Sequence, residues 1–231
     1  RWVFVDLLIV PLLEQIADKL TGVEGFVILT DDAHMPETSL ANAVSYESLI
    51  ANESDEYDWP TFDERSASAL CYTSGTTGNP KGVLFSHRST VLHAYAAVTP
   101  DVMNLRSTDC ILPVVPLFHV NAWGIPYAAL MVGSKLVFPG PRMGDGETLY
   151  QLMESEAVSI SLGVPTVWLS LLGYAEGAGK NLNALQRTVI GGAGVPESMI
   201  RAFRDQHDVD VVQGWGLSEL CPLGTVSTTK A

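Results

Sequence analysis

The sequence predicts an α/β fold, a doubly wound and mainly parallel sheet with helices on both faces. Short, near-continuous apolar runs over residues 110–115, 158–162, 188–190 and 209–212 have the character of strands buried on both sides. Between them lie segments with apolar residues at helical spacing, two of them opened by Pro165 and Pro196, where a first helical turn accepts proline. Of 231 residues, 47% are hydrophobic, which is enough for a sizeable core.

Residues 2–5 read as a buried strand. After Asp6, the positions Leu12, Leu13, Ile16 and Leu20 recur at helical spacing, with Pro11 suited to a first turn. A second strand over 25–29 completes a β-α-β opening, which favours parallel pairing. Residues 31–68 are richer in Asp, Glu, Ser and Pro. They contain Glu53-Ser54-Asp55-Glu56-Tyr57-Asp58 and read as a solvated excursion. A short apolar run over 69–71 leads into a polar loop, and 83–85 form a short strand. Ser86 is the expected N-cap of a helix whose apolar side carries Val91, Leu92, Tyr95 and Val98, ended by Thr99-Pro100. Strands over 110–115, 136–138, 158–162, 188–190 and 209–212 then alternate with helices over about 120–131, around 149–153, and from Pro165 and Pro196. Gly133 is the expected C-cap of the first of these, and residues 177–180 form a surface turn. No internal repeat or low-complexity linker interrupts the pattern.

The formal charge is −13, from 13 basic against 26 acidic side chains, which argues against a nucleic-acid or anionic-membrane surface. An anionic ligand would have to be held locally. Cys71, Cys110 and Cys221 show no paired spacing, so neither a zinc site nor a disulfide framework is indicated, and a reduced, cytoplasmic setting fits. No apolar run reaches the ~18 residues of a membrane span.

One stretch organises the rest: Tyr72-Thr73-Ser74-Gly75-Thr76-Thr77-Gly78-Asn79-Pro80-Lys81-Gly82. Its hydroxyls, glycines and lysine cannot build a core but can surround an anion with short donors, turned backbone N–H groups and a mobile point charge. A polyphosphate is the natural guest. The spacing of a Walker-type P-loop is absent. The stretch resembles the phosphate loop of the adenylate-forming superfamily, which includes acyl-CoA synthetases, adenylation domains of peptide synthetases and luciferases.

Three further segments join it. Pro116-Leu117-Phe118-His119-Val120-Asn121-Ala122-Trp123 follows a strand and enters a helix, where His119 and Trp123, four apart, share a face. Alone it would read as a capping histidine beside a core tryptophan. It is similar to the aromatic gate motif of fatty-acyl-CoA synthetases, which implies a histidine beside the carboxylate and a tryptophan gating the acyl tunnel. Gly191-Gly192-Ala193-Gly194-Val195-Pro196 follows the strand over 188–190 and alone would read as a tight strand-to-helix turn. The superfamily places adenine and acyl-carbonyl contacts there. Gln213-Gly214-Trp215-Gly216-Leu217-Ser218-Glu219 resembles the superfamily motif in which an aromatic ring stacks on adenine and a glutamate holds magnesium, with Trp215 in place of the usual Tyr and Ser218 in place of Thr.

The resemblance runs from Trp2 to Thr225 and is to the medium- and long-chain fatty-acid CoA ligases. It implies ATP contacts from Thr73, Ser74, Gly75, Thr76, Thr77, Gly78, Lys81, Gly192, Ala193, Gly214, Trp215, Gly216 and Ser218. Glu219 would be the metal ligand, with Thr73 assisting, and His119, Trp123, Val164 and Gly192 would form the acyl side. The catalytic set would be Lys81, His119, Ser218 and Glu219. The implied substrates are a fatty acid, ATP and CoA, with Mg²⁺ and no nucleic acid, and a homodimeric parent is compatible. The implied reaction passes through acyl-AMP; alternatives are a non-catalytic nucleotide- or acyl-binding module and an adenylating enzyme with an acceptor other than CoA. The ribose-binding aspartate motif and the mobile C-terminal domain of the superfamily have no counterpart in 1–231. Residues 1–231 are therefore expected to be an incomplete part of the large N-terminal domain, inactive alone.

Overall fold

The computed structural model describes residues 1–75 and 78–227, which fall into two compact units, Arg1–Thr61 and Phe62–Ala231. Thr76 and Thr77 lie outside the described residues.

In the first unit, β1 (Trp2–Val5), β2 (Gly25–Ile28) and β3 (Ala43–Ser45) form a parallel sheet in that order. β2 is central and buried throughout. β1 is an edge strand, so it is not the buried strand expected: Trp2 and Phe4 are about half exposed. The helix expected from the spacing of Leu12 to Leu20 is broken into a helical turn, Val10–Glu14, flanked by 3-10 turns at Leu7–Ile9 and Ala17–Lys19. The core available to it is small, centred on Val5, Val10, Phe26, Ile28 and Leu40. The excursion expected over 31–68 contains β3 and a helix, Tyr46–Ile50, whose N-cap Ser45 accepts from the Ser48 N–H. A 3-10 turn, Asp32–His34, precedes these, and residues 51–66 are exposed and carry neither helix nor strand.

The second unit holds a six-stranded sheet in the order β11-β10-β9-β8-β6-β7. Its strands are β6 (Cys110–Val114), β7 (Lys135–Leu136), β8 (Ile160–Gly163), β9 (Arg187–Ile190), β10 (Asp210–Gly216) and β11 (Leu223–Ser227). All neighbouring pairs are parallel except β10–β11. Because successive strand residues point to opposite faces, the apolar strands feed two cores. Ile111, Ile160, Leu162 and Val189 pack with the helices His87–Val98 and Ile125–Val132. Leu112, Val114 and Ile190 pack on the other side with the helices Gly146–Ser155, Pro165–Ala178 and Glu197–Arg201 and the turn after them. The doubly wound arrangement predicted from the sequence is thus present. β4 (Ala67–Thr73) and β5 (Lys81–Ser86) stand apart as an antiparallel hairpin.

Two local readings are corrected. Ser86 does cap the helix His87–Val98, accepting from the Ser89 N–H at 3.1 Å, but the buried face is His93, Ala94 and Ala97, while Val91, Leu92 and Tyr95 are exposed. The small face is the one that lets this helix approach Ala128 and Ala129 of its neighbour. The helix expected over 120–131 begins only at Ile125. Before it, Val120, Asn121, Ala122 and Trp123 have φ of 42, 46, 49 and 58° and Gly124 has 75°, a turn of left-handed backbone. Such a conformation costs L-residues ~1–2 kcal/mol each and persists only where packing over-determines it. Here Val120, Ala122 and Trp123 are all buried.

Candidate functional site

The carboxyl ends of β6, β9 and β10 open onto a cavity of ≈ 260 Å³, the position where open α/β sheets bind ligands. Its lining includes His119 just before the left-handed turn and Trp123 within it, Gly191 and Gly192 after β9, Gly214, Trp215 and Gly216 of β10, and Ser218 beyond it. The expectation that His119 and Trp123 share a right-handed helix face fails, since the turn winds the other way. They reach the same cavity nonetheless, His119 exposed and Trp123 buried. The Trp123 ring lies against Gly191: a methyl group on Gly191 would stand 3.3 Å from the ring and 3.0 Å from the Gly214 carbonyl oxygen. Trp215, half exposed, covers the bare backbone of Gly224 on the antiparallel partner strand.

Val164 does not line the cavity but sits behind it, 3.1 Å from where a Gly192 methyl would be. Ala193 and Glu219 also lie outside the lining; both are exposed, and Glu219 stands in the 3-10 turn Ser218–Leu220. Met103, Val120, Val189, Leu217, Pro222 and Leu223 complete the wall and were not chosen as site residues from the sequence. Ordinary apolar side chains gathered by the fold carry no local signal.

The residues expected to bind phosphate lie in the β4–β5 hairpin of the second unit. Thr73 and Lys81 are the last pair of the β4–β5 ladder, so Ser74 to Pro80 is the connecting loop. Gly75 has φ +66°, and a methyl group on it would lie 2.4 Å from the Asn79 carbonyl oxygen, so only glycine fits. Ser74, Gly78 and Lys81 are exposed. The expected contacts of Thr76 and Thr77 fall outside the described residues. The hairpin is tied to the left-handed turn by Cys71, whose thiol donates to Asn121 Oδ1 at 3.3 Å.

Among the described residues no three His, Cys, Asp or Glu side chains cluster as a metal cage. The donor set here, a single carboxylate on Glu219 with Ser218 preceding it in the same turn, fits Mg²⁺, which is commonly held by one or two carboxylates with phosphate and water oxygens. Burial lowers the affinity of His93 for a proton and pushes the Tyr127 hydroxyl and Cys221 thiol up.

Residues 5–231 match the family described as AMP-binding enzyme. The chain is 50% identical over 229 residues to the medium-chain-fatty-acid–CoA ligase of Ectopseudomonas oleovorans, covering 99% of this chain and 42% of that protein. It is 48% identical to the 3-methylmercaptopropionyl-CoA ligase of Ruegeria lacuscaerulensis, over 100% of this chain and 43% of that protein, and 46% identical to the long-chain-fatty-acid–CoA ligase of Thermus thermophilus, over 96% and 39%. It thus spans less than half the length of these relatives. In fold it is similar to an anthranilate CoA ligase in complex with anthranoyl-AMP, with a TM-score of 0.85 at 22% identity over 99% of this chain and 43% of that one. It is also similar to the N-terminal domain of FACL13 from Mycobacterium tuberculosis, with a TM-score of 0.74 at 24% identity over 95% and 56%. The sequence match across nearly the whole chain and the shared fold agree, and the chain belongs to the AMP-binding enzyme family.

Proposed function

We propose that the protein containing this chain activates a medium- or long-chain fatty carboxylate with ATP, forming acyl-AMP, and passes the acyl group to CoA. The observation that carries this reading is the convergence of His119, Trp123, Gly192, Trp215 and Ser218 on one cavity at the carboxyl end of the sheet. A carboxylate oxygen attacks the α-phosphorus in line, the bond to the bridging oxygen breaks, and pyrophosphate leaves. The CoA thiolate then attacks the acyl carbon and AMP departs. A carboxylate is already ionised at neutral pH, so the first step needs no general base.

In this reading the chain positions and neutralises rather than reacting covalently. Lys81 and the hydroxyls of Thr73 and Ser74 hold phosphate oxygens, together with Gly75, Gly78, Thr76 and Thr77. Trp215 offers a π face to adenine between the open backbone of Gly192 and Ala193 and that of Gly214 and Gly216. His119 orients the carboxylate, Trp123 and Val164 bound the acyl chain, and Ser218 and Glu219 border the metal. Mg²⁺, when bound, supplies positive charge to the phosphates.

A shorter acid is the second reading. Trp123 is buried against Gly191 in the wall of a cavity of only ≈ 260 Å³, and one relative of 48% identity is named for a short thioether acid. The test is pyrophosphate release by the complete protein across carboxylic acids from three to sixteen carbons, with thioester formation measured separately. Release peaking at six or more carbons supports the first reading, and a peak at three to five supports the second. Release without thioester would point to another acyl acceptor, and no release with any acid would leave a binding module.

A further inference from the structure

Three pieces of the site meet at a side chain that no motif marks. His93, in the helix His87–Val98, is 8% exposed. The backbone N–H of Leu223 donates to its Nε2 at 3.1 Å, so that nitrogen carries a lone pair and the neutral ring holds its proton on Nδ1. The Nδ1 edge rests on Gly124, where a methyl group would stand 2.7 Å from Nδ1 and 2.9 Å from Cε1. Gly124 ends the left-handed turn that carries Trp123 and follows directly on His119. Leu223 opens β11 opposite Gly216 and closes the loop that carries Ser218 and Glu219. The helix itself continues directly from β5, the return strand of the phosphate hairpin.

We propose that His93 is a positioning residue of the adenylation site, a neutral imidazole that sets the spacing between the Trp215–Glu219 loop and the His119–Trp123 turn. The inference rests on the reading of the site given above. His93 touches no substrate in it; it acts through Leu223 and Gly124. Removing the acceptor strands a part-buried N–H and frees β11 to shift. Protonating the ring does the same, because Nε2 then presents a proton to the Leu223 N–H.

The groups facing the ring leave it to titrate without a charged partner. Tyr127, from the helix Ile125–Val132, and Cys221, from the turn before β11, line one small cavity with His93, Thr90 and Asn121, and no Asp, Glu, Lys or Arg does. Burial raises both Tyr127 and Cys221, which keeps them neutral in the acid range. Burial also holds His93 below its ordinary value of 6.5. With a depressed value, the contact is complete above 6.5 and is lost as the pH falls through the lower value of the folded ring.

The complete protein is used for the test. Wild-type ATP–pyrophosphate exchange is measured first over a panel of carboxylic acids, and no exchange with any acid overturns the reading of the site whatever His93 does. His93→Leu and His93→Gln are then compared near pH 8, where the ring is neutral. The glutamine oxygen can accept from Leu223 and does not titrate. His93→Leu is expected to lower kcat/KM for ATP about tenfold and His93→Gln by no more than about threefold. Hydrogen exchange at the Leu223 amide should quicken in the leucine variant alone. As the pH is lowered below 6.5, the wild-type rate should fall more steeply than that of His93→Gln. A leucine variant with wild-type kcat/KM, or a glutamine variant with the full wild-type acid limb, overturns the proposal. Should the leucine variant fail to fold, the glutamine profile decides alone.

Discussion

Trp123 and Glu219 divide the proposed chemistry between the acid and the nucleotide. Trp123→Ala opens the cavity beside Gly191 and Gly192, where the ring now lies. The expected result, across a chain-length series, is a shift toward longer or bulkier acids with a smaller change in KM for ATP. An equal drop for every acid would identify Trp123 as packing alone. Glu219→Ala removes the one carboxylate of the Ser218–Leu220 turn, and acyl-AMP formation should fall about a hundredfold or more. Pyrophosphate release that is unchanged at limiting Mg²⁺ would remove Glu219 from the metal site. Seven of the residues chosen from the sequence share the cavity, namely His119, Trp123, Gly192, Gly214, Trp215, Gly216 and Ser218, because loops after strands keep their chemistry in short strings. Met103 and Leu223 were not legible, being plain apolar residues 120 positions apart that only the fold brings to one cavity. His93 was hidden for a related reason, since its role depends on a backbone N–H 130 residues away.

At the scale of elements, the sequence misled where a general assumption about helices failed. Apolar spacing put Val91, Leu92 and Tyr95 on the buried side of the helix His87–Val98, yet close helix contact selected Ala94 and Ala97. Hydropathy ranks side chains by apolar area, whereas two helices approach closely where side chains are small. Over 120–123 the helical period was present but the hand was not, because spacing says nothing about the sign of φ. The expectation that glycines let the backbone turn after Thr73 is met by Gly75 and Gly78, both with positive φ. Gly75→Ala should therefore force the loop open, since its methyl would meet the Asn79 carbonyl oxygen at 2.4 Å in a left-handed backbone. The expected outcome is an ATP KM raised about tenfold or more, with the acid KM changed less. An unchanged ATP KM would show that this loop does not hold phosphate.

For the molecule as a whole, the fold class was legible because buried parallel strands write themselves as uninterrupted apolar runs, as in β6 and β8. The separate three-stranded sheet and the β4–β5 hairpin were not, since a strand of three to seven residues does not record which sheet it joins. The exposed stretch over 51–66, with neither helix nor strand, has a consequence for how the chain can be cut. A protease must draw an extended segment into its cleft, and this stretch offers one without breaking a ladder or a core. Brief digestion of the chain with a glutamate-specific protease should cleave after Glu53, Glu56 or Glu64 before Glu154 or Glu176, which lie within helices. Mass spectrometry should find a larger fragment running from residue 54, 57 or 65 onward, still carrying every cavity residue. First cuts within the helices Gly146–Ser155 or Pro165–Ala178 would contradict the division of the chain at this stretch.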